Sequence, residues 1–225
     1  MVATESIRQG LEQRGFRNIR HWSRGVDTDL FRPRPKEFLN HLRPIMLYVG
    51  RVSVEKNLEA FLDLDLPGTK LIVGDGPARC ELQQRYPHAR FAGMRQGAEL
   101  AQYYAASDVF VFPSKSDTFG LVMLESMASG LPVAAFPVEG PADVVGQSGA
   151  GVLDNDLARA IRKALQIEPT VCVNHARRYG WRSCALEFLE NLQPLEADRG
   201  EHEVGSGAKA RDHAELKGPM VVVAK

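Results

Sequence analysis

The strongest constraint on the fold is a set of short segments in which consecutive residues are apolar. Most of these segments end at Gly, Pro or Ser, residues that favour a turn. Apolar residues at every position, rather than at every second one, are typical of strands covered on both faces, as in a parallel sheet. We therefore predict strands over residues 44–49, 70–73, 90–92, 109–112 and 132–136, with a sixth over 151–153.

Segments with helical spacing of apolar residues lie between the predicted strands. Asp117 or Thr118 can cap one of these helices, Asp154 can cap another, and Gly130 suits a helix end. The helices are predicted over residues 57–64, 77–86, 97–106, 119–129, 154–167 and 181–192. Strands and helices that alternate in this way indicate an α/β fold with a doubly wound, Rossmann-like parallel sheet.

Composition excludes several classes of protein. The 225 residues carry 28 basic and 28 acidic side chains, so charge gives no support for nucleic-acid binding. The apolar runs are far shorter than the roughly 18–20 residues of a membrane-spanning helix, and residues 1–10 lack the apolar core of a signal peptide. Cys80, Cys172 and Cys184 lack metal or redox spacing. We expect a cytoplasmic protein with reduced thiols and no metal site.

The two ends of the chain differ from its middle. Residues 195–225 contain four glycines and no aromatic residue, so we predict that residues 194–225 are disordered. Residues 14–43 contain eight Lys or Arg and three Asp or Glu. This basic segment is either an interdomain surface or a peripheral contact with anionic lipid at the inner face of the membrane. Trp22 and Trp181 are expected to pack in the core.

The end of the first predicted strand suits an anionic ligand. Ligands of doubly wound sheets bind at the carboxyl ends of the strands. Gly50 allows a ligand to approach the backbone there, and Arg51 and Lys56 follow it closely. A bidentate guanidinium and an ammonium can both hold a diphosphate, although surface charge on a loop is the alternative interpretation.

The end of the fourth predicted strand places an acid in apolar surroundings. Gly120 opens the following helix, where backbone N–H groups and the positive helix end favour an anion. Glu125 lies within residues 121–128, which are otherwise apolar or small. A carboxylate in such surroundings needs hydrogen-bond donors, and vicinal sugar hydroxyls would supply two. The alternative is a partly solvated Glu on an amphipathic helix.

Residues 117–133, DTFGLVMLESMASGLPV, resemble the acid-x7-acid motif of retaining glycosyltransferases of the GT-B, family-4 type, also called group 1. Further segments in the same order resemble other parts of that family: 22–27, 48–52 followed by 55–57, 73–77, 91–93 and 104–114. The resemblance covers about residues 20–193. It implies that the chain contains the C-terminal, donor-binding half of a GT-B fold.

The resemblance also implies a role for each matching residue. The catalytic set would be Arg51 and Lys56 on the diphosphate, Asp117 near the donor-sugar hydroxyls and Glu125 on the ribose hydroxyls. The family commonly has Glu at the position of Asp117, so this carboxylate reaches one methylene less far. The remaining donor-binding residues would be of three kinds. Gly50 and Gly76 would line the crevice, and Phe91, Ala92 and Gly93 would contact the nucleobase. Phe119, Gly120 and Leu121 would contact the sugar and the phosphates.

The implied reaction is transfer of a sugar, with retention, from a UDP- or GDP-sugar to an alcohol acceptor on a lipid or glycan. No obligatory cofactor or metal is implied. Because GT-B enzymes have two domains, residues 1–21 are interpreted as a remnant of an N-terminal domain or a linker, and residues 22–193 as the donor domain. The acceptor would then need the missing N-terminal domain. Two alternatives remain: a non-catalytic nucleotide-sugar-binding module, and a GT-B UDP-sugar epimerase.

Overall fold

The computed structural model describes residues 1–116 and 119–192. Six parallel strands form one sheet in the order β3-β2-β1-β4-β5-β6, which is the doubly wound Rossmann order. The predicted fold class is therefore confirmed, and all six predicted strands are present. The strands are β1 (Ile45–Val49), β2 (Thr69–Val73), β3 (Arg90–Gly93), β4 (Val109–Phe112), β5 (Val133–Ala135) and β6 (Gly151–Leu153).

Helices connect the strands and cover both faces of the sheet. Short 3-10 turns occur at Lys36–Phe38, Val54–Lys56 and Arg177–Tyr179. The α-helices described are α1 (Glu5–Gln13), α2 (Glu59–Leu62), α3 (Arg79–Arg85), α4 (Gly97–Ala106), α5 (Leu121–Ala128), α6 (Glu139–Val144), α7 (Leu157–Ala164), α8 (Pro169–Ala176) and α9 (Trp181–Glu190).

Two apolar layers explain why the strands are apolar at consecutive positions. Ile45, Leu47 and Val49 of β1 pack into one layer, with residues from α4, α5, α6 and α8. Met46 and Tyr48 pack into the other, with residues from α2, α3 and α7. Side chains alternate along a strand, so a sheet covered on both faces needs apolar residues at both parities.

Some helix boundaries differ from the prediction. Gly120 is the N-cap residue of α5, and no side chain among the described residues caps it. The predicted caps Asp117 and Thr118 lie outside the described residues. Asp156, rather than Asp154, caps α7 by accepting a hydrogen bond from the Arg159 N–H. Helices α6 and α8 were not predicted.

The N-terminal segment, residues 1–21, packs against the C-terminal helices. Val2 and His21 form a parallel bridge, and the Ser6 hydroxyl donates to the Asp143 carboxylate of α6. The ring of His21 also lies 2.7 Å from a Glu187 carboxylate oxygen of α9. These contacts attach the N-terminal segment to α6 and α9.

Both tryptophans are exposed, so the prediction that they pack in the core was wrong. Trp22 is 40% exposed, and its indole N–H donates to the Cys184 carbonyl at 3.1 Å. Trp181 is 62% exposed, although its ring lies close over Gly25. The Trp22 ring also packs against the Phe188 ring of α9, with centroids 4.9 Å apart, so both indoles lie on the outer surface formed by residues 22–25 and α9. The predicted disordered tail lies outside the described residues.

Candidate functional site

The candidate site is a cleft between β1 and β4. The strand order β3-β2-β1-β4-β5-β6 changes direction here, because the chain builds the sheet outward from β1 to β3 on one side and from β4 to β6 on the other. This switch point is where doubly wound sheets bind their ligands. A cavity of about 340 Å³ lies here, at the carboxyl ends of β1 and β4 and the start of α5. Its lining residues are Arg24, Tyr48, Val49, Gly50, Arg51, Lys56, Phe112, Phe119, Gly120, Leu121 and Val122.

Hydrogen bonds hold the loop after β1 at the wall of this cavity. The buried Tyr48 hydroxyl donates to the Arg51 carbonyl at 2.8 Å. The Asn57 side-chain amide donates to the Pro113 carbonyl at 3.0 Å, which ties the turn containing Lys56 to the end of β4. Together with Arg24, the loop lines the cavity with three cationic side chains. Such a wall suits an anionic ligand.

The first turn of α5 forms the opposite side of the cavity. Gly120 has φ +74°, a backbone conformation that residues with a Cβ atom rarely adopt. Glycine is therefore the residue that permits this sharp start of the helix. The first N–H groups of a helix have no partner within it, so they and the helix dipole favour negative charge. Gly120, Leu121 and Val122 all line the cavity.

A second cavity of about 590 Å³ adjoins the first and shares Val49, Gly50 and Arg51 with it. The loops after β1 and β2 form it side by side. The Val52 N–H donates to the Asp75 carbonyl at 2.9 Å. A Cβ atom on Gly76 would lie 2.3 Å from the Val52 carbonyl oxygen, so this close approach requires glycine. The other lining residues are Val73, Gly74, Asp75, Gly76, Met94, Arg95 and Gln96.

The residues expected to contact the nucleobase of the donor lie beside this cavity rather than on its lining. Phe91 and Ala92 are partly buried and pack against opposite core layers. Gly93 is buried, and its carbonyl accepts a hydrogen bond from the Gly74 N–H at 2.9 Å. The three residues that follow, 94–96, line the cavity instead. The strand therefore positions the loop, and the loop forms the wall.

Glu125 lies one turn of α5 beyond the residues that line the smaller cavity, and it is not among the lining residues of either cavity. One of its carboxylate oxygens, Oε2, accepts a hydrogen bond from the Tyr104 hydroxyl at 2.8 Å. Burial raises the pKa of the Glu125 carboxyl, and the Tyr104 hydrogen bond partly opposes that effect. The apolar surroundings predicted for this acid are present, and a tyrosine supplies one of the donors it needs.

The structure brings most of the predicted site residues to one end of the sheet. Those on the smaller cavity are Gly50, Arg51, Lys56, Phe119, Gly120 and Leu121, and Gly76 is on the larger one. Asp117 lies outside the described residues. Sequence analysis missed Arg24, residues 94–96 and Tyr104. Arg24 belonged to the basic segment 14–43, which was assigned to a different surface.

Within residues 1–116 and 119–192, no helix combines the length and apolar character that crossing a membrane requires. In the same part of the chain, no group of three or more His, Cys, Asp or Glu side chains is placed to hold a metal ion.

Comparison with known proteins identifies the family. The sequence model described as "Glycosyl transferases group 1" matches residues 43–167, more than half of the chain. A sulfoquinovosyl transferase from Arabidopsis thaliana is 40% identical over 146 residues, which cover 59% of this chain and 29% of that protein. A GDP-mannose-dependent alpha-mannosyltransferase from Mycolicibacterium smegmatis is 36% identical over 195 residues, which cover 80% of this chain and 50% of that protein.

A solved structure agrees with these relatives. Sucrose-phosphate synthase from Thermosynechococcus elongatus superposes with a TM-score of 0.68 at 28% identity, over 84% of this chain and 56% of that one. The matched part of this chain corresponds to 29% of the length of the sulfoquinovosyl transferase and 50% of the length of the mannosyltransferase, so the chain spans half or less of these two relatives. It belongs to the group 1 glycosyl transferases, as the acid-x7-acid resemblance predicted.

Proposed function

We propose that this chain binds the nucleoside-diphosphate sugar donor, a UDP- or GDP-sugar, of a retaining glycosyltransferase. One observation carries the proposal: two adjoining cavities at the switch point, one of them lined by Arg24, Arg51, Lys56 and the first turn of α5. The smaller cavity has the charge that a diphosphate needs. The larger one offers room beside it for a nucleoside.

The same residues can promote cleavage of a sugar–phosphate bond. Negative charge develops on the departing diphosphate as that bond breaks. In this proposal Arg51 and Lys56 stabilise that charge, and the N–H groups of Leu121 and Val122 support them. Glu125 accepts hydrogen bonds from the ribose hydroxyls. Asp117 is assigned to the donor-sugar hydroxyls on the spacing of the motif alone.

We propose that a further domain binds the acceptor, which is an alcohol group on a lipid or glycan. The chain spans about half of the length of the mannosyltransferase relative. Helix α9 also exposes large apolar side chains that a second domain would cover. They are Trp181, Leu186 and Leu189, with Leu192 just after the helix. In this proposal, residues 1–21 connect to that domain and residues 22–193 form the donor domain.

Calorimetry of the purified chain with GDP, UDP, GDP-mannose and UDP-glucose tests the donor proposal. We expect at least one nucleoside diphosphate to bind with a defined stoichiometry, and free nucleoside to bind more weakly. Absence of binding by all four would overturn the proposal. Turnover is then measured with a supplied N-terminal half of the mannosyltransferase relative and an alcohol acceptor.

The products of that second measurement separate the enzyme from its alternatives. Transfer with the anomeric configuration kept supports a retaining transferase. Donor binding without turnover, when the relative's halves recombine to an active enzyme, would instead indicate a non-catalytic binding module. Conversion of UDP-sugar to a free epimer without acceptor would indicate an epimerase.

A further inference from the structure

Tyr104 is a buried polar side chain that the motif-based assignment of the site leaves without a role. It lies in the last turn of α4, and the residue is 0% exposed. Its ring makes an edge contact with Phe31, with centroids 5.7 Å apart, and a tilted contact with Phe110 at 5.9 Å. A phenylalanine would fill this apolar space equally well. The hydroxyl therefore needs an explanation of its own.

The hydroxyl of Tyr104 donates to Glu125 Oε2 at 2.8 Å. This bond joins α4 to α5, two helices that lie on the same face of the sheet. Burial and the nearby Glu125 carboxylate both raise the pKa of Tyr104 well above its usual value, so the phenol stays a donor throughout the physiological range. A neutral, immobile donor thus faces a carboxylate that has several rotatable bonds.

We propose that Tyr104 is a positioning residue that fixes the Glu125 carboxylate for the ribose hydroxyls of the donor. With Oε2 held by the phenol, Oε1 remains to accept from a ribose hydroxyl. A carboxylate held in its bound orientation loses less conformational freedom when the ligand arrives, which increases affinity. This inference rests on the proposed function, because it needs a ribose at Glu125.

The first test is the Tyr104→Phe variant, which keeps the ring and removes the hydroxyl. We expect its affinity for GDP or UDP, whichever the wild type binds more tightly, to fall about threefold to tenfold, less than the loss expected for Glu125→Ala, because the variant frees the carboxylate without removing it. The matched control is Tyr86→Phe. Tyr86 donates to the Asp63 carboxylate at 2.5 Å, and neither residue lines either cavity, so loss of its hydroxyl should leave nucleotide affinity unchanged.

Three readouts distinguish positioning from a merely structural role. The 2′,3′-dideoxy form of the same nucleotide should bind wild type and Tyr104→Phe equally. The pH midpoint for loss of affinity should rise in Tyr104→Phe, because the hydrogen bond that lowers the pKa of Glu125 is gone. In a Glu125→Ala background, Tyr104→Phe should have no further effect on affinity, which a double-mutant cycle measures.

The outcomes separate this inference from the proposed function. If the wild type binds no nucleoside diphosphate, the proposed function fails, and this inference fails with it. If the wild type binds and Glu125→Ala weakens binding but Tyr104→Phe does not, the positioning role alone is overturned. Equal losses for the ribose and dideoxy nucleotides would also overturn it, because they would indicate a general distortion of the cleft.

Discussion

Glu125 is a mostly buried acid whose charge state controls what it can hold at the proposed ribose site. Glu125→Ala should weaken nucleoside-diphosphate binding by about 1–3 kcal/mol, the range for a lost hydrogen bond to a charged group. Burial raises the pKa of the Glu125 carboxyl. As the pH decreases, wild-type affinity should therefore begin to fall at a higher pH than it would if Glu125 had the usual pKa of a glutamate. Calorimetry at several pH values measures both effects. Unchanged affinity in a folded Glu125→Ala variant would contradict the assignment.

Arg51 differs from Glu125 in the part of the ligand that it should bind. Arg51→Ala should weaken binding of GDP or UDP about tenfold or more, since a guanidinium bound to phosphate forms strong charge-assisted hydrogen bonds. Binding of the free nucleoside should hardly change. Arg85→Ala is the control, because Arg85 is an exposed arginine of α3 that pairs with Glu59 at 2.5 Å. Equal losses for nucleoside and nucleotide in Arg51→Ala would count against a phosphate role.

Sequence analysis found the site residues that lie next to the end of a strand. Arg51 and Gly120 were accessible to it because chain position alone places them at the carboxyl edge of a parallel sheet. Tyr104 was not, because its role depends on the packing of α4 against α5. Arg24 was missed for a similar reason: residues 22–26 are held by contacts with distant parts of the chain, such as the hydrogen bond from the Val26 N–H to the Tyr179 carbonyl at 2.8 Å.

At the scale of elements, the backbones of the loops after β1 and β2 lie so close together that a side chain on Gly76 would not fit between them. Gly76→Ala should lower both stability and nucleotide affinity, because its Cβ would lie 2.3 Å from the fixed Val52 carbonyl oxygen. Thermal unfolding and calorimetry measure the two effects. Gly10→Ala is the matched control, since a Cβ on this residue of α1 meets nothing within 4 Å. It should raise the stability of α1 by about 0.5–1 kcal/mol and leave affinity unchanged.

The strands were predicted better than the helices, for a physical reason. Each strand is covered on both faces, so its sequence is continuously apolar and stands out. Helix α6 has the sequence EGPADV, and α8 is PTVCVNHA, with several β-branched residues. Neither has high helix propensity. Helix α8 instead packs tightly against α5, with Cys172 and Ala176 fully buried, and such tertiary contacts cannot be read from local sequence.

At the scale of the whole molecule, zero net charge conceals an uneven distribution. The smaller cavity has three cationic side chains on its wall. Charges of one sign in a cleft raise the local concentration of an oppositely charged ligand, and this effect falls with ionic strength. The neutral total of 28 basic and 28 acidic residues is therefore compatible with a site for an anionic donor.

A second basic surface follows α1, where Arg14, Arg17 and Arg20 are exposed around Phe16, which is itself 59% exposed. We propose that this surface makes a peripheral contact with an anionic membrane. Each basic residue near such a surface contributes about 1 kcal/mol. The chain should therefore co-sediment with vesicles containing phosphatidylglycerol more than with neutral vesicles, and added salt should weaken the binding.

Charge-reversed variants locate the contact. The double variant Arg14→Glu, Arg17→Glu should lose most of the vesicle binding while keeping nucleotide affinity, because neither residue lines a described cavity wall. The matched control reverses Arg162 and Lys163, which are exposed on α7 across the sheet. That control changes net charge by the same amount and should retain binding. If both variants lose binding equally, net charge rather than the surface after α1 governs attraction to the membrane, and the peripheral-contact proposal is wrong.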